Sequence, residues 1–357
     1  MKQFLKNIIL FFLLYTGLSF VISLCVPYHW GNPWYSVKAR YLEKNNHKAF
    51  NTFFFGSSRV YRQVDPSLFD SLAQEITNEE IHSFNLGAPA TFAPQTYFLY
   101  EQFLNSPLSK NAKYCFLELT DVSPIGKRSM HQEKTNYWLG MSGLSFAIKS
   151  IVADQTKSKT YRATQCMRYF FSYIENVLHL GHFSRQLTTT NVYEEDYLGP
   201  YNNGYLPYEY EYKTTKNPTL KKALFRRMKV LEKEPERLGL RRTRIQNAYN
   251  ASSDSYYDRA NRKRILELIE RSRKKGIELI IFFISPRPMH VNKVNIVNLS
   301  RKIPKANLID LCYPVRYPDL YAVENAFDLG HLNTKGSGLL TSYLAEEFSH
   351  LQLQKKE

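Results

Sequence analysis

The chain opens with Lys2 and Lys6 and then loses all charge over IILFFLLYTGLSFVISLCV, Ile8 to Val26. A helix of that length, rising about 1.5 Å per residue, reaches across roughly 30 Å of hydrocarbon, so residues 8–26 are predicted to form one transmembrane helix. The run is longer than the apolar core of a signal peptide, about 7–15 residues, and no Ala-x-Ala-like cleavage site follows, which predicts an uncleaved signal anchor. Ile22-Ser23-Leu24 before Cys25 puts a bulky leucine where a lipoprotein site needs a small residue. With both lysines on the short N-terminal side, residues 1–7 are expected in the cytoplasm and everything after Val26 across the cytoplasmic membrane. Residues 27–49, rich in Trp and Tyr, then read as an interfacial aromatic belt and stalk.

From residue 50 the pattern alternates between short apolar runs and amphipathic stretches. Phe53–Phe55, Ile81–Leu86, Tyr114–Leu119, Ile277–Ile284 and Ala306–Leu311 predict strands; Thr96–Leu104, Arg259–Lys274 and Lys335–Phe348 predict helices. Apolar runs without polar alternation are buried on both faces, which predicts a parallel sheet between helices, a three-layer α/β/α core. That core is split: residues 50–125 and 255–357 carry it, and 126–254 read as a mainly helical and loop insertion, with helices around Leu144–Val152 and Met167–Leu180.

At 357 residues the chain is long enough for one large core with such an insertion. Hydrophobic residues at 43% and charged residues at 22% are ordinary for a globular protein, so disorder is not the default reading. The net charge of +16 comes mainly from Lys213 to Arg244. A solvated helical face and a surface for anionic lipid or envelope polymer are both open readings of that segment; nucleic acid does not fit a domain outside the cell. The cysteines, at 25, 115, 166 and 312, form no C-x-x-C pair and no zinc pattern, which leaves at most a single disulfide. No histidine spacing suggests a metal, and His179 and His182 read as a surface pair. The tyrosines Tyr193, Tyr197, Tyr201, Tyr205, Tyr208, Tyr210 and Tyr212 suit either sugar stacking or packing of the insertion.

Ligands of an open parallel sheet sit at the carboxyl ends of its strands. Three of those ends carry Gly56-Ser57-Ser58-Arg59, Asn85-Leu86-Gly87 and Thr120-Asp121, and Asp328 and His331 stand three residues apart in FDLGHLNTKGSG before the last helix. These blocks, in this order, resemble the SGNH (GDSL-type) hydrolases over about 50–125 and 255–350. The resemblance puts Ser58 at the nucleophile position, with Ser57 where Asp is usual. It gives Gly87 and Ser58 the oxyanion N–H groups and makes Asp328 and His331 the Asp-x-x-His block. The usual Gly-x-Asn-Asp block is absent, LELTDVSP standing in its place, so Arg59 or Ser57 is expected to replace the missing Asn, and Asn85 and Asp121 to line the pocket.

The Gly-Ser-Ser form, the single anchor and SPRP at 285–288 are most similar to extracytoplasmic proteins of teichoic acid D-alanylation and alginate O-acetylation. That likeness implies transfer or removal of an ester-linked acyl group, acetyl above all, on an envelope polysaccharide, beside a polytopic membrane-bound O-acyltransferase. It implies no cofactor or metal. A stand-alone esterase and a non-catalytic polysaccharide- or partner-binding module are the rival expectations.

Overall fold

A computed structural model describes residues 1–45, 50–178, 197–251, 256–284 and 293–356. SPRP, His179, His182, His290 and Tyr193 lie outside the described residues. Helix α1 (Lys2–Cys25) holds the apolar run, and its stretch Lys2–Ile22 is long and apolar enough to cross a membrane. Helix α2 (Pro33–Lys44) begins at an Asn32 cap that accepts the Tyr35 N–H, with proline in its first turn.

The expected stalk is corrected here. Helix α2 belongs to the core, burying Tyr35, Val37, Lys38, Ala39 and Leu42. Its sparse apolar positions read as polar because Lys38 is one of the buried ones. The Lys38 ammonium donates to the carbonyls of Gly87 and Gly204, each at 2.7 Å, and lies 3.8 Å over the Tyr61 ring. Burial, with help from Arg62, holds its pKa well below the ordinary lysine value.

The core elements follow in order: β1 (Thr52–Phe55), α3 (Ser58–Gln63), α4 (Pro66–Thr77), β2 (Ser83–Asn85), α5 (Gln95–Asn105) and β3 (Tyr114–Glu118). Next come α6 (Glu133–Asn136), α7 (Met141–Ala153), α8 (Lys159–Leu178), α9 (Tyr208–Thr214), α10 (Pro218–Lys233) and α11 (Glu236–Asn250). The chain then returns to the sheet with α12 (Arg259–Arg273), β4 (Glu278–Phe283), α13 (Lys293–Ser300) and β5 (Leu308–Asp310). It closes with the hairpin β6 (Ala326–Asp328) and β7 (His331–Leu332) and helix α14 (Thr334–Lys356). Five strands form one parallel sheet in the order β2-β1-β3-β4-β5. The expected strands at 81–86 and 306–311 are shorter than the apolar runs: β2 pairs only from Ser83, a 3-10 turn at Lys305–Asn307 precedes β5, and Leu86 and Leu311 lie just past the strand ends.

Strand side chains alternate between faces, and the aromatic residues of β1 follow that rule. Phe53 and Phe55 meet Phe103 of α5, whereas Phe54 meets Phe69 of α4. Phe116 of β3 shares the second face, against Phe54, Phe69 and Phe348 of α14. Helices α5 and α12 are tied by Tyr97 to Asn261 and by Tyr100 to Ser272, both at 2.6 Å, so helices cover both faces of the sheet. Cys115, Cys166 and Cys312 are free thiols.

Phe116→Ala should destabilise the domain by about 3–5 kcal/mol, read as a lower midpoint in urea unfolding, because the ring is fully buried between the sheet and two helices.

Candidate active site

Strand β1 ends in Gly56, whose backbone passes so close to β3 and α3 that a Cβ would lie 2.2 Å from Val60 Cγ2 and 2.7 Å from Glu118 Oε2. Ser57 then caps α3, its hydroxyl accepting the Arg59 N–H at 3.3 Å. Ser58 is the first helical residue. Its Oγ lies 2.8 Å from Nε2 of His331, a contact made across 273 residues of sequence.

His331 opens β7, directly after the turn from Asp328. Its Nδ1 is 3.0 Å from Asp328 Oδ1 and 3.1 Å from Oδ2. A carboxylate only accepts, so Nδ1 carries the proton and Nε2 is the acceptor facing the serine hydroxyl. Asp328 is 6% exposed and takes a further N–H from Gly330 at 2.5 Å. The hairpin is held to α3 by the Leu332 N–H on Gln63 Oε1 at 3.0 Å, and α14 is held there by Ser337 Oγ on the Arg62 carbonyl at 3.2 Å. Ser58, Asp328 and His331 are therefore brought together as expected.

Other expected site residues sit in the supporting frame. The Gly87 N–H donates to Asn85 Oδ1 at 2.9 Å and its carbonyl accepts Lys38, so it is not free to hold an oxyanion. Asn85 spends its amide on the carbonyls of Val60 and Val64, both at 2.8 Å, and fixes α3 rather than lining a pocket. Arg59 is paired with Glu118, Nε at 2.9 Å and Nη2 at 2.8 Å from Oε1. The Ser57 N–H donates to the other oxygen of the same carboxylate at 2.6 Å. Ser57 and Arg59 are thus both engaged with Glu118, and Arg59 is close enough to act on the His331 ring. Asp121, beyond β3, lies near Tyr97 and Tyr256, whose ionisation it opposes. Among the described residues, the Ser58 N–H at the start of α3 meets no acceptor. No group of three or more His, Cys, Asp or Glu among the described residues is arranged to hold a metal ion.

The insertion supplies the residues that sequence reasoning missed. Tyr208 of α9 packs its ring against Phe327 and meets the His331 ring edge-on, centroids 4.9 Å apart in each case. Arg62 covers that ring at 4.3 Å and is itself paired with Glu211 at 3.0 Å. Arg227 of α10 donates to the Tyr208 hydroxyl at 2.8 Å and reaches Asp328 Oδ2 at 3.5 Å. Arg241 of α11 also faces Asp328, with its Nη1 beside Gly330. Two guanidinium groups of the basic segment are thus turned toward the triad, while Leu224, Leu231, Leu238 and Ile245 anchor the same helices. Of the tyrosines, Tyr205 and Tyr208 are buried and Tyr201 is exposed.

The chain matches no protein-family model and no curated protein.

Burial opposes ionisation of Asp328, but His331, the Gly330 N–H and Arg227 outweigh it and hold the carboxyl below the usual aspartate value. Burial lowers the His331 pKa, Arg227 and Arg59 lower it further, and Asp328 only partly restores it. The imidazole is therefore neutral at pH 7, the form that accepts a proton.

A neutral His331 is needed to activate Ser58, so reactivity should be full near neutrality and fall only as pH drops through the lowered His331 value, below the ordinary ~6.5. Arg227→Ala removes a cation that disfavours imidazolium and should move this acid limb upward, measured as the pH dependence of Ser58 modification by a fluorophosphonate.

Proposed function

We propose that this protein is a membrane-anchored serine enzyme that transfers an ester-linked acyl group, acetyl above all, to or from an envelope polysaccharide, through an SGNH-type core facing outward from the cytoplasmic membrane. The observation that carries this reading is the 2.8 Å contact of Ser58 Oγ with an imidazole that Asp328 orients from its other nitrogen. The apolar helix α1 supports the anchor, with Lys2 and Lys6 on the cytoplasmic side.

Ser58 attacks the acyl carbonyl while its proton passes to His331 Nε2, and Asp328 stabilises the imidazolium. Collapse of the tetrahedral intermediate returns that proton to the leaving oxygen and leaves the acyl group on Ser58. A polysaccharide hydroxyl, or water in the removal direction, then gives its proton to His331 and attacks the acyl-serine, and Ser58 leaves with that proton. The Ser58 N–H is the oxyanion donor at hand. Each such donor contributes roughly 2.7–4 kcal/mol.

Two observations favour transfer over stand-alone hydrolysis. Asn85 occupies the Gly87 N–H, so the oxyanion site is sparse for an esterase acting in bulk water. Arg227 and Arg241 put positive charge beside Asp328, which suits an acceptor polymer bearing negative charge. A polytopic membrane-bound O-acyltransferase is the proposed source of the acyl group.

Full-length protein in detergent, treated with a fluorophosphonate and mapped by peptide mass, should carry the adduct on Ser58 alone. His331→Ala should lower the labelling rate by about a thousandfold or more. No adduct in protein shown to be folded by near-UV circular dichroism would overturn the catalytic reading in favour of a binding module.

A further inference from the structure

Helix α8 turns an apolar stripe outward. Its inward face sets polar side chains beside Tyr169, which is buried against Trp138: Gln165 accepts the Ile125 N–H at 3.0 Å, Arg168 donates to the Ile125 carbonyl at 2.9 Å and Ser172 donates to the Met130 carbonyl at 2.9 Å. Glu175 accepts from Asn136 at 2.9 Å and also pairs with His131. The outward face is Met167, Phe170, Phe171, Ile174 and Val177, an i, i+3, i+4, i+7, i+10 stripe without a charge. Met167 is 59% exposed, Phe170 and Phe171 are each 49%, and Val177 is 43%.

The last described turn of the same helix lies against α1. Tyr15 donates its hydroxyl to the Leu178 carbonyl at 2.7 Å and Ser19 donates to the Val177 carbonyl at 2.6 Å. Ser19 and Tyr15 stand three and seven residues before Ile22, where the apolar stretch ends, so at ~1.5 Å per residue the two contacts lie about 5 and 10 Å inside it. At that depth no water satisfies a carbonyl, and two side chains of the span do so instead.

We propose that the C-terminal half of α8 enters the outer leaflet beside α1 and lays its Met167–Val177 stripe against phospholipid acyl chains. This rests on the reading of α1 as a membrane span but not on the chemistry of Ser58. Lipid is the occupant favoured because the stripe is continuous with α1, whose own apolar side chains are exposed along its length, and because it offers no charge or hydrogen-bonding group for a protein partner. The domain thereby has a second foothold in the membrane, which sets its rotation about the anchor.

The test places the photocrosslinker p-benzoylphenylalanine at position 12, 170 or 201 of the full chain. Each protein is reconstituted in phosphatidylethanolamine–phosphatidylglycerol vesicles, irradiated and mapped by mass spectrometry. Phospholipid adducts at 12 and 170, several-fold above those at exposed Tyr201, are the expected result. Adducts at 12 with none at 170 would overturn the proposal and leave the anchor standing; none at 12 would remove the anchor reading itself. Irradiation in cells that joins position 170 to a protein instead of phospholipid would also overturn it, assigning the stripe to a membrane partner.

Discussion

The whole arrangement turns on one buried carboxylate. Glu118, at the end of β3 and fully shielded, receives the Ser57 N–H on one oxygen and the Arg59 guanidinium on the other. It therefore joins the central strand to both residues flanking Ser58. A buried ion pair is a weak source of net stability, since desolvation offsets much of the attraction, but loss of one partner leaves an uncompensated charge. Its contribution is to geometry: it reaches Ser57 only because residue 56 is glycine, and it sets the first turn of α3 at the height where Ser58 meets His331.

Around that point the protein has assembled opposing electrostatic demands. His331 must stay neutral to accept a proton, whereas Asp328 must stay ionised to hold it. Burial would push each toward its uncharged form. Arg227 favours both required states at once, by stabilising the aspartate and disfavouring imidazolium. Tyr208 keeps this guanidinium in place by accepting from it, while Arg62 lies over the ring of the same tyrosine. The insertion is thus part of the triad's surroundings, although it is remote from the triad in sequence.

The sheet was legible because its strands are buried on both faces and so appear as uninterrupted apolar runs, Phe53–Phe55 and Ile277–Ile284 most clearly. Ser58 was legible because it follows the apolar run of β1, and Asp328 and His331 because they stand three residues apart just before the last helix. Helix α2 was not, since its buried face includes Lys38, which a hydropathy pattern counts as solvent-exposed. The Gly87 N–H was misread for a related reason: only its local partner, the Asn85 side chain two residues away, distinguishes an occupied donor from a free one. Tyr208, Arg227 and Arg241 gave no sign of their place, because their roles arise from the packing of α9, α10 and α11 against the β6–β7 turn. The tyrosine-rich loop and the basic run held the right residues among many equivalent ones.

Helix α2 is integral to the core, and only seven residues, 26–32, separate it from α1. A fully extended connection of that length spans at most about 25 Å. With α1 in a bilayer, the domain has no tether on which to roam. It would then occupy a thin layer at fixed height, where encounters take place in two dimensions instead of three. Whatever meets Ser58 would have to come to that layer, so the height of the site above the membrane is written into the length of one short connector.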